Sequence, residues 1–364
     1  MQPIGGYAER GPDTLTALSG QSGLTSEWLN TVLRDALDGA VVGEVELAPV
    51  GTGQVSDSVR VTVSYDRNVK LPGSFIAKVP SSSETSRAGA RAVNTYETEA
   101  CFYAHLRPGL QAHVPRCFHV AHNAATDDYV VLLEDLRPAM QGDQLVGIDA
   151  DAAAAAIEEM TRLHAPYWGN ESLAEVGWLN RHPADAVDFI AEMLGALFTG
   201  FGDRYGGRLD PSVLDLIAAF RPLLRDYLAV RIHPSTVTHN DFRADNLLFG
   251  GPRVAVLDWQ TTAYGPGPAD LAYLLGSSLP VEQRRTHERD LVREYHDELL
   301  AAGVDFSWDD CWTSYRRHAF QGILVAVAAS MLVEQTARGD EMFVTMASRH
   351  AAHAIDLDSL ELFS

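Results

Sequence analysis

The sequence contains little cysteine and no lysine beyond residue 78. Its 364 residues include three cysteines, Cys101, Cys117 and Cys311, and none of them forms a CxxC pair. This scarcity excludes a disulfide framework and argues against a zinc site with the usual cysteine spacing. It is typical of a reducing compartment, so we expect a cytoplasmic protein.

Positive charge is also scarce. The chain has 28 Lys and Arg residues against 49 Asp and Glu residues, a formal net charge of -21. Nucleic-acid binding needs clustered basic side chains, so we expect no nucleic-acid partner. The acidic excess is compatible with a cationic substrate, or simply with a well-solvated surface.

Long hydrophobic runs are missing as well. The longest one, "AFQGILVAVAASMLV" (319–333), contains Gln321 and is shorter than the roughly 18 residues that cross a membrane. The first ten residues do not show a basic start followed by an apolar core, as a secretory signal would. We therefore expect a buried helix at 319–333 and no membrane partner.

The hydrophobic pattern predicts two regions of different character, since 364 residues are too many for one comfortable core. Alternating residues, as in "SVRVTVSY" (58–65), predict strands at 45–50, 58–65, 74–80, 116–122 and 129–136. A helix is expected over about 84–107. Another is expected at 24–37, with one face formed by Leu24, Trp28, Val32, Leu33 and Ala36.

Beyond Pro138 the pattern is mainly helical, at 149–168, through 184–232 and from 267 onward. Three short strand-like segments interrupt it: "TVTH", "NLLF" and "VAVLDW". The prediction is an α+β protein. A small antiparallel β-sheet lobe with an N-terminal helix would span 1–136, and a mostly helical lobe would span 137–364.

Polar residues cluster around these short strands, in "VTHNDFRADNLLF" (237–249) and "VLDWQ" (256–260). A hairpin-like return of the chain would bring the oxygen ligands Asn246 and Asp258 together. Such ligands suit Mg²⁺, which typically binds one or two protein oxygens plus phosphate oxygens. Asp241 would then face a nucleophile, and this combination of metal and carboxylate is what phosphoryl transfer requires.

The segments "HNDFRADN" (239–246), "LDWQ" and "GPGPADLAYLL" resemble aminoglycoside phosphotransferases and the related ecdysteroid kinase-like and choline kinase-like families. The resemblance implies a two-lobed protein-kinase-like fold and transfer of the γ-phosphoryl group of ATP, or another nucleoside triphosphate, to a small-molecule hydroxyl. It makes Asp241 the base and Asn246 and Asp258 the Mg²⁺ ligands. His239 and Asp270 would support the loop. Asn240 replaces the usual glycine, and asparagine is among the residues that best tolerate a positive φ.

Lys78 lies within the apolar strand "FIAKV", where a lone lysine needs an anionic partner. The resemblance implies that it holds the nucleotide phosphates and pairs with a helix glutamate. Glu97 and Glu99 both qualify, and the family pattern favours Glu99.

The remaining nucleotide contacts are expected in two segments. Gly51, Gly53 and Ser56 lie in "VGTGQVSDSV", where glycines would let the backbone approach phosphates. Glu134 lies in "LLEDL", whose backbone would contact adenine.

The acceptor is less defined by the sequence. Two observations favour an apolar hydroxylated acceptor, such as a steroid-like or other lipophilic alcohol or a hydroxyacyl compound. One is the resemblance to the ecdysteroid kinase-like family, and the other is the presence of aromatic residues at 163–168, Trp178 and 311–320. Aromatic residues at helical spacing are, however, more often part of the core. The alternatives are phosphorylation of an aminoglycoside or other antibiotic, and a nucleotide-binding regulatory module without turnover. The sequence makes no prediction of oligomeric state.

Overall fold

The computed structural model describes residues 12–51, 55–180, 186–230 and 232–363. By its internal contacts the chain divides into two compact units. Unit 1 contains the chain up to Gly109, Val114–Pro138 and Asp258–Thr261. Unit 2 contains Leu110–His113, Ala139–Leu257 and the chain from Thr262 onward.

Unit 1 is built on a five-stranded antiparallel sheet in the order β1-β2-β3-β5-β4. Alternating valines of the second strand, Val59 and Val61, point into the core and are fully buried. The strands are β1 (Val42–Pro49), β2 (Ser56–Tyr65), β3 (Ser74–Pro80), β4 (Cys117–Asn123) and β5 (Asp128–Glu134).

The N-terminal helical segment packs on this core largely through the predicted face. It forms two short helices, α1 (Ser26–Val32) and α2 (Arg34–Leu37), with Thr25 as the N-cap. Buried leucines recur every four residues, at Leu29, Leu33 and Leu37, whereas Ala36 is exposed. Four of the five residues of the predicted face belong to the core or pack against it, and Ala36 is the exception.

The predicted long helix over 84–107 is also interrupted. It consists of α3 (Glu84–Ala92) and α4 (Thr95–Cys101), followed by a π-helical turn, Phe102–Leu106. The break lies at Asn94, which adopts a left-handed conformation with φ of 52°. Because of this break, α4 is a separate helix, and six of its seven residues are buried.

Unit 2 is mainly helical, and its central helix is buried along its whole length. This helix is α9 (Pro268–Ser278). The others are α5 (Ala150–His164), α6 (Val187–Tyr205), α7 (Pro211–Phe220), α8 (Leu224–Ala229), α10 (Val281–Ala301), α11 (Trp308–His318), α12 (Gln321–Leu332) and α13 (Ala337–Asp356). The apolar run at 319–333 forms α12, in which Ile323 and Val327 are fully buried. Among the described helices, none combines the length and hydrophobicity of a membrane span.

Short strands in unit 2 frame the polar loop at 239–246. The strands are β6 (Met140–Gln141), β7 (Thr236–Thr238), β8 (Leu247–Phe249), β9 (Ala255–Val256) and β10 (Ala263–Gly265). β7 pairs with β10, and β8 lies between β6 and β9, all antiparallel. The loop therefore leaves one small sheet at Thr238 and enters the other at Leu247.

Candidate active site

A buried lysine in unit 1 is held by two carboxylates. Lys78 lies on β3, opposite Ser58 of β2 and Val131 of β5, and is only 8% exposed. Its Nζ donates to Glu99 Oε1 at 2.6 Å and to Asp258 Oδ1 at 2.7 Å. We call Lys78, Glu99 and Asp258 the lysine cluster.

The lysine cluster is electrostatically complementary. Burial, the largest single effect, lowers the pKa of Lys78, but the attraction of Asp258 and Glu99 and their hydrogen bonds outweigh it. The pKa of Lys78 is therefore raised above its ordinary value, and the side chain is an ammonium ion. A buried cation of this kind has the chemistry to bind phosphate oxygens.

Glu99 is fixed by three donors. Besides Lys78, the Tyr129 hydroxyl donates to Oε2 at 2.6 Å and the Trp259 backbone N–H donates to Oε1 at 3.3 Å. The Trp259 ring stacks on Phe102, with centroids 3.9 Å apart. Of the two glutamates considered, Glu99 is thus the one that contacts Lys78.

Glu97 lies two residues earlier on the same helix. It is half-buried and lines a small pocket with Arg91 and His122.

Asp258 has an unusual backbone conformation. Its φ of 64° lies in the left-handed region, which a non-glycine residue rarely adopts. Gln260 Nε2 donates to Asp258 Oδ2 at 3.2 Å. Strained conformations of this kind cluster at ligand sites.

The other residues predicted to contact the nucleotide are Gly51, Gly53, Ser56 and Glu134. Gly51 is exposed with φ of 73°, and Gly53 lies outside the described residues. Ser56 is buried on β2 opposite Pro80. At the end of β5, the Glu134 backbone N–H donates to Arg116 O at 2.9 Å, and its Oε2 accepts the Arg116 N–H at 3.2 Å. The Glu134 N–H is therefore engaged within the sheet.

The backbone of the 239–246 loop is anchored to α9 in unit 2. Asp270, near the start of α9, is fully buried. Its Oδ2 accepts the His239 N–H at 2.6 Å, and its Oδ1 accepts the Asn240 N–H at 2.7 Å. Two N–H groups of the loop are thus satisfied by one carboxylate.

The His239 ring stabilises the loop through two hydrogen bonds to backbone groups. Its Nδ1 accepts the Asp241 N–H at 3.2 Å, so Nε2 carries the proton and donates to Leu257 O at 2.8 Å. The next residue, Asn240, has φ of 62°. This is the conformation in which the related families' glycine is easily replaced by asparagine.

The Asp241 side chain lies at the centre of a hydrogen-bond network. Its Oδ1 accepts Arg243 Nε at 3.0 Å and the Tyr273 hydroxyl at 2.8 Å. Its Oδ2 accepts Asn246 Nδ2 at 2.8 Å. Arg243 also donates from Nη1 to Asp245 Oδ2 at 2.6 Å, so this arginine joins two carboxylates.

Asn246 is oriented by Asp241. Its Nδ2 donates both to Asp241 Oδ2 and to the Asp241 backbone oxygen, each at 2.8 Å. An amide nitrogen has two hydrogens, so both are used, and the amide Oδ1 remains as an acceptor. Leu257, the residue before Asp258, donates its N–H to Asn246 O at 2.9 Å.

Each of the two residues predicted to bind a metal ion carries a suitable ligand atom. Asn246 in unit 2 has the amide Oδ1 and Asp258 in unit 1 has its carboxylate, and both are oxygen ligands of the type that Mg²⁺ prefers. Within the described ranges, no group of three or more His, Cys, Asp or Glu side chains could hold a metal. A Mg²⁺ bound mainly through phosphate and water would need no such group.

Two residues of this network have no role in the sequence analysis. Tyr273 was missed because a tyrosine within "LAYLL" has the pattern of a core residue. Arg243 was missed as well, and the structure pairs it with Asp241 and Asp245. The spacing of Asp270 and Tyr273, three residues apart on α9, was the available signal.

A comparison with protein-family models identifies the family of this chain. A model described as "Phosphotransferase enzyme family" matches residues 46–309. The chain belongs to the phosphotransferase enzyme family. The prediction of an enzyme of the phosphotransferase class is therefore confirmed. A search of curated protein sequences found no significant match.

Solved structures resemble this phosphotransferase in fold at low sequence identity. Choline kinase from Cryptosporidium parvum Iowa II is 10% identical with a TM-score of 0.58, covering 92% of this chain and 95% of its own. Plasmodium vivax ethanolamine kinase is 10% identical with a TM-score of 0.53, at 89% and 86% coverage. Amicoumacin kinase hAmiN, in complex with AMP-PNP, Ca²⁺ and Ami, is 11% identical with a TM-score of 0.51, at 88% and 92% coverage. The predicted α+β, protein-kinase-like fold is confirmed.

Proposed function

We propose that this phosphotransferase transfers the γ-phosphoryl group of ATP to a hydroxyl group of a small molecule, with Asp241 as the base. The observation that carries the proposal is the network around Asp241. Its carboxylate is held from three sides by Arg243, Tyr273 and Asn246. A side chain fixed in this way is suited to receive a hydroxyl proton at a defined position.

The lysine cluster supplies the nucleotide contacts in this proposal. Lys78 binds nucleotide phosphates while Glu99, itself fixed by Tyr129, keeps the ammonium group in place. Gly51, which is exposed and has a positive φ, is the described glycine that would approach the phosphates, and the backbone of "LLEDL" would approach the adenine. Amicoumacin kinase hAmiN, which has the same fold, is seen with AMP-PNP and Ca²⁺.

Asn246 and Asp258 are the proposed Mg²⁺ ligands. Asn246 Oδ1 is the amide atom left after both Nδ2 hydrogens bind Asp241. Asp258 offers its carboxylate from a left-handed backbone that directs the side chain. When bound, the ion neutralises charge on the phosphoryl oxygens.

For the acceptor we propose an apolar hydroxylated molecule. Two carboxylates of this part of unit 2 are already paired with arginine, Asp245 with Arg243 at 2.6 Å and Asp143 with Arg338 at 3.4 Å. Met342 Sδ lies 3.5 Å from Arg243 Nη1. A polycationic aminoglycoside would benefit from unpaired carboxylates, and these two are neutralised by arginine.

Several aromatic residues that favoured an apolar acceptor in the sequence belong to the core or stack on one another. Within 311–320, Tyr315 and Phe320 are fully buried and belong to the core of unit 2. Trp312 is half-buried and stacks on Trp308. The acceptor proposal therefore rests on the charge pairing around Asp241.

The test is a screen of ATP consumption with Mg²⁺ against lipophilic alcohols, hydroxyacyl thioesters and aminoglycosides. We expect turnover with a compound of the first two classes, and its loss by roughly 10²-fold or more in Asp241→Asn. Asp241→Asn should keep the thermal stabilisation by Mg-ATP, whereas Asp258→Ala should lose it.

Each contrary outcome is informative. Phosphorylation of an aminoglycoside alone would overturn the acceptor proposal while leaving the phosphotransfer mechanism in place. Nucleotide binding without Asp241-dependent turnover would favour a regulatory module.

A further inference from the structure

Tyr273 is placed to act on the Asp241 side chain. It lies on α9, three residues after Asp270, on the same face of the helix. Asp270 holds the backbone of the 239–246 loop, and the Tyr273 hydroxyl donates to Asp241 Oδ1 at 2.8 Å. One helix thus fixes both the main chain of the loop and the side chain of its central aspartate.

The hydroxyl group of Tyr273 is not explained by packing. The residue is fully buried on α9, where a phenylalanine would bury the same ring and lack only the hydroxyl group. Burial raises the pKa of Tyr273 well above its ordinary value, and the charge of Asp241 raises it further. The phenol is therefore a permanent proton donor. Burying it is favourable only because the carboxylate accepts its hydrogen bond.

The hydrogen bonds of Asp241 distinguish its two oxygens. A carboxylate has about four lone-pair positions, two on each oxygen. In the described part of the chain, Arg243 Nε and the Tyr273 hydroxyl occupy Oδ1, while only Asn246 Nδ2 reaches Oδ2. Oδ1 is therefore saturated, and Oδ2 retains one acceptor position.

We propose that Tyr273 is a positioning residue that, together with Arg243, saturates Oδ1 of Asp241 and so directs Oδ2 toward the acceptor hydroxyl. This rests on the proposed function, in which Asp241 is the base. As the acceptor oxygen bonds to the γ-phosphorus, its proton passes to Oδ2. The bond from the γ-phosphorus to the bridging oxygen breaks, and ADP leaves with that electron pair.

The test uses the full chain and its Mg-ATP hydrolysis, with water as the hydroxyl acceptor. Tyr273→Phe should lower kcat by about tenfold, the scale of one net hydrogen bond. The KM for ATP and the thermal shift caused by Mg-ATP should remain unchanged. Arg243→Lys, which keeps the charge and removes Nε, should lower kcat in the same way.

Tyr205→Phe is the matched control. Tyr205 is also a buried tyrosine of unit 2 whose hydroxyl donates to an aspartate, Asp340, at 2.6 Å. Its loss should leave kcat within twofold of the wild-type value.

A double-mutant cycle separates positioning from general support of the fold. In the Asp241→Asn background, Tyr273→Phe should cause little further loss, because the two residues act as a unit. The same fold-loss in both backgrounds, or an unchanged kcat in Tyr273→Phe and Arg243→Lys, would overturn the inference. If Asp241→Asn itself leaves hydrolysis unchanged, the proposed function fails instead.

Discussion

At the scale of single residues, the burial of the charged Lys78 depends on its two carboxylate partners. An ammonium group in the interior is tolerated because Glu99 and Asp258 both lie within hydrogen-bond distance. Removing one partner of a buried ion pair typically costs about 3–5 kcal/mol, since the other charge stays buried. The Glu99 side chain is 1% exposed and the Asp258 side chain is 27% exposed, so Asp258 is the more accessible of the two partners.

This arrangement predicts strong coupling between Lys78 and Glu99. Lys78→Met and Glu99→Gln should each reduce kcat/KM for ATP strongly, and the double variant should fall little further. Glu97→Gln, two residues away on the same helix, is the matched control and should behave nearly like the wild type. Additive losses, or a larger effect of Glu97→Gln than of Glu99→Gln, would contradict the pairing.

The residues that the sequence analysis identified are conspicuous in the sequence itself. Lys78 is a charged residue within an apolar strand, and Asp241 and Asn246 belong to a polar cluster between two short strands. Tyr273 carries no such mark, because tyrosine is common in cores and its partner Asp241 is distant in sequence. Its role depends on tertiary packing of α9 against the loop.

At the level of elements, the 239–246 loop is held by its ends and by α9. Within this fully described loop, Asn240 is the position where the backbone turns to positive φ, at 62°. The Asn240 side chain also donates to Thr238 Oγ1 at 3.0 Å, which links it back to β7. The turn is therefore stabilised both by residue type and by a local hydrogen bond.

We expect Asn240→Gly to be tolerated and Asn240→Ala to destabilise the protein by about 1–2 kcal/mol, the cost of a left-handed alanine. Urea unfolding followed by tryptophan fluorescence would measure the difference. Equal stability of the two variants would show that the loop can relax to negative φ.

The short strands of unit 1 were easier to predict than its helices. The strand predicted at 74–80 is β3 with the same bounds. The helix predicted over 84–107 is broken at Asn94, and no proline or glycine marks that break. Asparagine tolerates both the right-handed and the left-handed conformation, so a pattern of apolar residues cannot reveal the interruption.

At the scale of the whole molecule, buried histidines make stability dependent on pH. His318 on α11 donates from Nδ1 to Ser314 O at 2.7 Å. Burial lowers the pKa of His318 to about 4, and burial also lowers the pKa values of His350 and His353. The pKa of a histidine in the unfolded chain is near 6.5. Between the folded and the unfolded pKa values, the unfolded chain therefore binds more protons than the folded chain.

For His318, the free energy of unfolding should therefore fall as the pH drops from about 6.5 to 4, by about 1.4 kcal/mol per pH unit, and His350 and His353 should add to the fall in the same direction. His318→Gln should flatten this dependence by one proton. His287→Gln, at a partly exposed position of α10, is the control. Denaturant unfolding at a series of pH values measures the slope, and an unchanged slope in His318→Gln would contradict the assignment.

The fold class could be predicted because the change from alternating to helical periodicity near Pro138 is strong. The division of the chain into contact units is less accessible to sequence. Leu110–His113 belongs to unit 2 and Asp258–Thr261 to unit 1, although the residues on both sides of each belong to the other unit. Such assignments depend on tertiary contacts, for example Trp259 stacking on Phe102.

The segments Leu110–His113 and Asp258–Thr261 limit where the gene can be recombined with that of a relative. The chain passes from one unit to the other five times, after Gly109, His113, Pro138, Leu257 and Thr261. A single crossover with a relative's gene near codon 138 would join Lys78 and Glu99 of one parent to Asp258 of the other. The lysine cluster of every such chimera would therefore be of mixed ancestry, so β3, α4 and the segment after Leu257 must be inherited together or remain mutually compatible.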